Sequence, residues 1–214
     1  MIKIAPSILS ADFAKLADEI SSVESADYLH FDVMDGVFVP NISFGFPVLE
    51  SVRRVTDMVL DVHLMIDDPL RFTARFAAAG ADIITIHVEA EISENIHKAI
   101  AEIHKSGKKA GLSVSPKTSA AALIPYIDSL DHVLVMTVEP GYGGQEFIGD
   151  MLPKITEVRK AIGERGLACD LEVDGGINNE TGKLCIAAGA NVLVAGSTIF
   201  HASNRVAQIA QLRG

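Results

Sequence analysis

Two short apolar runs carry titratable side chains in a pattern that could do chemistry. In Leu29-His30-Phe31-Asp32-Val33-Met34-Asp35-Gly36 an imidazole, a carboxylate and a thioether fall at alternate positions. Alternate residues of a strand share a face, so His30, Asp32 and Met34 point the same way. A histidine and a carboxylate forced onto one buried face are costly unless something satisfies them. A divalent cation would satisfy both, and a hydrogen bond between the two is the plainer alternative. The second run, Asp61-Val62-His63-Leu64-Met65, repeats the pattern, while Ser7 ends the first apolar run and Glu172 and Asp174 end a later one.

A second group of residues suits an anion. Gly141-Tyr142-Gly143-Gly144-Gln145, Gly175-Gly176 and Gly196-Ser197 each follow an apolar run. Glycine lets backbone N–H groups approach an anion closely, and a helix starting just beyond adds partial positive charge, so such loops can hold a phosphate. One Gly-Gly alone is a tight turn; three on successive loops carry the reading. No Lys or Arg stands inside them, which leaves backbone amides and Ser197 to do the binding.

These groups meet only if the elements bring them together. Runs rich in Val, Ile and Leu alternate with segments of helical period. Strands are expected over residues 2–7, 28–32, 59–63, 83–87, 109–114, 132–137, 168–173 and 192–195. Helices are expected over 12–25, 47–55, 69–79, 93–106, 118–127, 151–165, 180–188 and 203–212. Pro47 and Pro69 open helices, and Gly80 and Gly107 follow helix ends. The stretch 36–46, with Pro40, Asn41 and Gly45, is a loop long enough to be functional. No linker or shift of composition interrupts the alternation. The expectation is one (β/α)8 TIM barrel domain over residues 1–214. A doubly wound sheet would want G-x-G-x-x-G after the first strand, where Ala5-Pro6-Ser7-Ile8-Leu9-Ser10 stands. In a barrel the C-terminal strand ends share one mouth, so His30, Asp32, His63 and Asp174 can surround one ion there, with the glycine loops to one side.

Other polar residues have quieter readings. His87 and Glu89 close a strand without a nearby partner to complete a ligand set, which suits hydrogen bonding behind the site. Asp35 caps the turn at Gly36, and Asp61 sits lower in its strand, where an interior hydrogen bond or salt bridge is the default. His97, His104, His132 and His201 are expected on a solvated surface. Met34, Met65 and Met136 are either core filling or an apolar lid over a ligand.

Composition narrows the partners. The 18 basic and 28 acidic residues give a net charge of −10, without a Lys/Arg-rich stripe. Nucleic acid and anionic membrane are therefore not expected. Met1 runs straight into the first strand with no leader-like segment, so a cytoplasmic location is expected. Cys169 and Cys185, in no C-x-x-C arrangement, read as structural thiols.

Taken together the chain closely resembles ribulose-phosphate 3-epimerases over essentially its whole length. The likeness is carried by Ala5-Pro6-Ser7-Ile8-Leu9-Ser10-Ala11-Asp12, His30-Phe31-Asp32-Val33-Met34-Asp35-Gly36 with Phe38-Val39-Pro40-Asn41, and Asp61-Val62-His63-Leu64-Met65. Met136-Thr137-Val138-Glu139-Pro140-Gly141-Tyr142-Gly143-Gly144-Gln145, Glu172-Val173-Asp174-Gly175-Gly176 and Val194-Ala195-Gly196-Ser197 complete it. The resemblance implies interconversion of D-ribulose 5-phosphate and D-xylulose 5-phosphate in the pentose phosphate pathway. It also implies metal ligation by His30, Asp32, His63 and Asp174, with Asp32 as proton acceptor and Asp174 as proton donor. Substrate contacts carry over to Ser7, His63, Gly141, Tyr142, Gly143, Gly144, Gly175, Gly176, Gly196 and Ser197. Glu139 and Tyr142 depart from residues common in the family and bear on fine substrate preference. Two nitrogen and two oxygen ligands suit one divalent transition ion, Zn²⁺, Fe²⁺, Mn²⁺ or Co²⁺. A homo-oligomer is expected. Alternatives are a 3-epimerase for another 2-ketose phosphate such as D-allulose 6-phosphate, and a non-catalytic sugar-phosphate-binding barrel. A decarboxylase or aldolase relative would want Asp-x-Lys-x-x-Asp, where Asp32-Val33-Met34-Asp35 stands.

Overall fold

Alternation along each strand decides which side chains meet the helices and which face the barrel axis. The computed structural model describes residues 1–214. Its strands are β1 (Lys3–Pro6), β2 (Tyr28–Met34), β3 (Val59–Met65), β4 (Ile83–His87), β5 (Lys109–Val114), β6 (His132–Met136), β7 (Asp170–Asp174) and β8 (Val192–Ala195). They form one parallel sheet in the order β1-β8-β7-β6-β5-β4-β3-β2, and a bridge between Ser7 and His30 joins its two edges. The architecture is a nearly closed (β/α)8 barrel.

Around it lie α1 (Leu16–Ser21), α2 (Phe46–Arg53), α3 (Thr73–Ala78), α4 (Ser93–Lys105), α5 (Leu152–Glu164), α6 (Thr181–Ala188), α7 (Ser197–Phe200) and α8 (Arg205–Arg213). Leu29, Phe31 and Val33 of β2, Leu60, Val62 and Leu64 of β3 and their counterparts pack against these helices in one cluster of 49 buried residues. Inward positions are polar instead. His30, Asp61, Thr85, Ser113, His132 and Glu172 are all fully buried inside the barrel wall. His132 corrects the expectation of a solvated edge: its Nε2 lies 2.8 Å from Glu172 Oε2. Parity explains it, because His132, Leu134 and Met136 share the inner face of β6.

Two helical expectations are also corrected. Between β5 and β6 the segment 118–127 forms separate 3₁₀ turns at Ala120–Leu123 and Ile127–Ser129. Pro125, lacking an N–H and clashing with the preceding turn, cannot sit inside a continuous helix. The first helix opens as a 3₁₀ turn at Phe13–Lys15, where the Asp12 side chain accepts from Ala14 N, and ends at Ser21. Helix α7, just beyond Gly196, lies outside the expected elements.

The N-terminal base of the barrel is fastened by one repeated device. Asp27, Asp82, Asp131 and Asn191 stand immediately before β2, β4, β6 and β8. Their side chains accept from the backbone N–H of Ile4, Leu60, Ala110 and Leu171 at 2.8, 3.0, 2.9 and 2.7 Å. Their own N–H groups donate to the carbonyls of the same four residues at 2.9–3.0 Å. Each odd strand is thereby tied twice to the residue that starts the next even strand, and the backbone groups at the barrel floor are satisfied.

Candidate active site

Register brings the candidate residues together. β2 and β3 pair with His30 opposite Asp61 and Asp32 opposite His63. Asp32 Oδ1 lies 3.2 Å from His30 Nε2 and 3.2 Å from His63 Nδ1. Its Oδ2 accepts a 2.6 Å hydrogen bond from Ser7 Oγ across the seam between β1 and β2. Ser43 clamps this strand end, accepting from Met34 N at 2.9 Å and donating to the Asp32 carbonyl at 2.6 Å. Asp174 ends β7, and one donor atom each from His30, Asp32, His63 and Asp174 lie within 4.8 Å of one another.

The charges in this cluster are unbalanced. The carboxylates Asp32, Asp61 and Glu172 find only histidines as ionic partners. Burial works against ionised Asp32, yet the charge and hydrogen bond of His30 outweigh it and hold the carboxyl far below the usual range. Burial likewise opposes a charged His30, and Asp32 and Asp61 on either side raise it well above normal. His63 is pushed down by burial to about 4. Asp174 has no compensating donor, and burial followed by the charge of Asp32 pushes it up to about 8. Glu172, below it on β7, is pushed up to about 7 by burial and Asp61. Two imidazole nitrogens and two carboxylate oxygens thus face one point that lacks Lys or Arg. This donor set fits a divalent cation.

Above the cluster opens a cavity of about 390 Å³. Ser7, Asp32 and Asp174 reach its floor, and Met34, Met65 and Met136 give it an apolar wall. Gly141, Tyr142, Gly143, Gly144, Gly175, Gly176, Gly196 and Ser197 line it as well. His30 and His63 stand behind the surface, fully buried. Gly176 has φ +66°, and a Cβ there would lie 2.5 Å from Phe147 N. Gly175, with φ +120°, would drive a Cβ into Val138. The Gly-Gly pair is therefore demanded by loop packing, which in turn brings backbone to the cavity edge. Asn41 Nδ2 donates to Gly141 O at 2.8 Å and Tyr142 OH to Pro40 O at 2.7 Å, so the 36–46 and 141–147 segments are tied to each other at the mouth.

A model of the ribulose-phosphate 3 epimerase family matches residues 3–200. The chain belongs to the ribulose-phosphate 3-epimerase family. Ribulose-phosphate 3-epimerase of Bacillus subtilis (strain 168) is 52% identical over 217 aligned positions, covering 100% of this chain and 99% of the relative. The Synechocystis sp. enzyme of the same name is 46% identical, covering 99% and 93%. Solved barrels resemble it in fold: 3-hexulose-6-phosphate synthase from Salmonella typhimurium has a TM-score of 0.75 at 18% identity, over 99% of this chain and 97% of that one. KGPDC from Streptococcus mutans has a TM-score of 0.73 at 16% identity, over 100% and 96%.

In this family member, some residues around the cavity lie outside the sequence reading. Thr137 Oγ1 stands 2.9 Å from Asp174 O and 2.6 Å from Gly175 O, pinning the turn that carries both. A polar residue at the end of the sixth strand was visible signal for it. Ser43 left none, since a serine in a polar loop is ordinary. Asp35, expected to cap a turn, accepts from Val37 N and Phe38 N at 2.8 and 2.9 Å. Cys169 and Cys185 are buried free thiols. No helix is long and apolar enough to cross a membrane.

Proposed function

We propose that this chain inverts C3 of D-ribulose 5-phosphate to give D-xylulose 5-phosphate, and the reverse, in the pentose phosphate pathway. The observation that carries the reading is the pair Asp32 and Asp174, brought to one cavity from β2 and β7, with their ionisation pushed in opposite directions in the cation-free site. Inversion next to a ketone needs a base on one face of C3 and an acid on the other. Ionised Asp32 accepts the C3 proton, the electron pair of that C–H bond moves toward the C2 carbonyl oxygen, and a planar enediolate results. Protonated Asp174 then delivers its proton to C3 from the opposite side. Two carboxyl groups whose environments drive their pKa values apart are suited to this division of labour.

Ser7 donates to Asp32 Oδ2 and so leaves Oδ1 turned toward the cation site. A divalent transition ion held by His30, Asp32, His63 and Asp174 would supply positive charge for the developing enediolate, with Zn²⁺, Fe²⁺, Mn²⁺ and Co²⁺ matching the donors. Gly143, Gly144, Gly175, Gly176, Gly196 and Ser197 are proposed to hold the phosphate, whose binding energy fixes the face that C3 shows to each aspartate. Met34, Met65 and Met136 cover the reacting carbons with apolar surface. The test is incubation with D-ribulose 5-phosphate in D₂O. Deuterium at C3 together with xylulose 5-phosphate is expected; binding of the sugar phosphate without C3 exchange would support a non-catalytic barrel. Preferential turnover of D-allulose 6-phosphate would move the assignment to the hexulose substrate.

A further inference from the structure

Behind His63 lies a chain of contacts that the reaction above does not use. His63 Nε2 is 2.8 Å from His87 Nε2, His87 Nδ1 is 3.0 Å from Glu89 Oε2, and Glu89 Oε1 accepts from Ser115 N at 2.8 Å. The Ser115 hydroxyl is a more distant neighbour of His87 Nδ1, at 3.5 Å. Both imidazoles are fully buried, with ring centroids 4.9 Å apart and planes inclined by 28°, so they meet edge to edge through their Nε2 atoms. We propose that Glu89 and His87 are positioning residues that dictate the tautomer of His63, turning its Nδ1 lone pair into the cation site.

The direction of every proton in the chain follows from its outer end. An ionised carboxylate only accepts, so His87 must carry its proton on Nδ1 to meet Glu89. The Nε2 of a neutral His87 is then an acceptor. Two facing ring nitrogens 2.8 Å apart need one proton between them, and with His87 accepting, that proton belongs to His63 Nε2. His63 Nδ1 is left with a lone pair, 3.2 Å from Asp32 Oδ1. A lone pair facing a carboxylate oxygen repels it unless a cation draws both, which is the arrangement of two ligands on one ion. His30 is oriented by a shorter route, with its Nδ1 2.7 Å from Asp61 Oδ2 and its Nε2 toward Asp32. One ligand is oriented directly by a carboxylate and the other through an intervening imidazole. The relay rests on the metal-site reading above, and it makes a separate claim about tautomers.

Glu89→Gln discriminates because it is isosteric. The amide oxygen stays with Ser115 N–H, so the NH₂ faces His87 Nδ1. His87 must then protonate Nε2, and His63 must carry its proton on Nδ1, aimed at the cation site. Long-range ¹H–¹⁵N spectra of chelator-treated protein read this directly. The wild type is expected to show His63 as the Nε2–H form and Glu89→Gln as the Nδ1–H form. Zinc affinity, measured by competition with a chromophoric chelator, is expected to fall by ~10- to 100-fold in Glu89→Gln, in line with losses of ligand-orienting partners elsewhere. His87→Gln, whose amide oxygen can accept from His63 Nε2–H, should keep affinity near wild type, and His87→Leu should lose it. A wild-type His63 in the Nδ1–H form, or a tautomer unmoved by Glu89→Gln, overturns the relay whatever zinc does. Correct tautomers in a wild type that binds no zinc would instead overturn the metal site itself, and with it the purpose of the relay.

Discussion

Asp170 and Asp174 stand four residues apart on the same face of β7, at opposite ends of the strand. At the base, Asp170 accepts from Lys3 Nζ at 2.6 Å, from Asn191 Nδ2 at 2.7 Å and from Tyr28 OH at 3.1 Å. Burial is overcome there by these donors and Asp170 is held below the usual carboxylate value. At the mouth, Asp174 finds no donor and another carboxylate nearby, and it is pushed up to about 8. The contrast extends around both rims. Asp82 meets Arg53 and Lys108, and Asp27 meets Arg213, while the mouth carboxylates meet only histidines. A barrel that can neutralise its base by side chains alone, and does so, leaves the mouth electrostatically incomplete. That incompleteness is where a cation and an anionic substrate have something to gain.

The largest effect should come from removing charge at the mouth. Asp32→Asn and Asp174→Asn are each expected to lower kcat by ~10³-fold or more, the scale of losing a positioned acid or base. Circular dichroism should stay that of the wild type in both, and the thermal midpoint should not fall in Asp174→Asn, whereas Asp32→Asn should lose some stability with its histidine and Ser7 partners. Near-normal epimerisation in either variant, followed by the coupled appearance of xylulose 5-phosphate, would break the two-base scheme.

The two ends of β7 should also differ in the sign of their pH dependence. For Asp174 the folded pKa is raised, so the folded state keeps its proton while the unfolded chain ionises. Metal-free protein should lose stability as pH rises from the ordinary carboxylate range toward about 8. For Asp170 the folded value is depressed, so its contribution is present at neutral pH and disappears as pH falls through that lowered value. Thermal midpoints of chelator-treated protein between pH 5 and 8.5 test this. Asp174→Asn should flatten the alkaline fall and raise the midpoint at pH 8 by ~2–4 °C or more, on the basis of ~1 kcal/mol or more in a chain of this length. Adding Zn²⁺ to the wild type should stabilise it more at pH 8 than at pH 5, since the ion must displace the proton that His30 holds. A pH-independent metal effect would contradict the assignment of His30 as ligand.

How much of this contrast could be read beforehand differs between the two ends. The mouth was legible because strand parity placed His30 with Asp32 and His63 with Met65, and because barrels gather their strand ends. The base was not. Asp27, Asp82, Asp131 and Asn191 act on backbone groups 20–23 residues earlier in the chain, and an Asp or Asn before an apolar run carries no mark of that partner. His132 resembles a solvated edge because it is the first residue of its strand, although counting back by twos from Met136 turns it inward. The interrupted segment before β6 was legible in Pro125. The tie of Ser43 to Asp32 depended on how a loop folds back, which local sequence does not specify.

A smaller effect separates stability from catalysis at the base. Asp170→Asn should cost ~1 kcal/mol, a value kept low because Lys3 remains partly solvated and can find water. Its kcat and KM should match the wild type, since no residue of the cavity touches it. A large catalytic loss in Asp170→Asn would mean that the buried polar interior, through Tyr28, His132 and Glu172, couples the two rims, and the division drawn here would fail.

Thr137 gives the smallest and sharpest test, because it touches the mouth without carrying charge. Its hydroxyl holds the carbonyls of Asp174 and Gly175, so it fixes the peptide between the proposed acid and the proposed phosphate loop. Thr137→Val keeps the shape, leaves the Asp174 carbonyl with the Thr137 N–H at 2.7 Å, and removes the hydroxyl's bond to Gly175 O. Asp174 would retain its pKa direction, since burial and Asp32 set it, but the loop would be free to shift relative to the carboxyl. The expected result is a few-fold loss in kcat/KM for the phosphorylated ketose, carried mainly by KM, with a thermal midpoint within ~2 °C of the wild type. A loss confined to kcat would instead place the hydroxyl's role at Asp174, and the mouth would then depend on hydrogen-bonded alignment as much as on its missing positive charge.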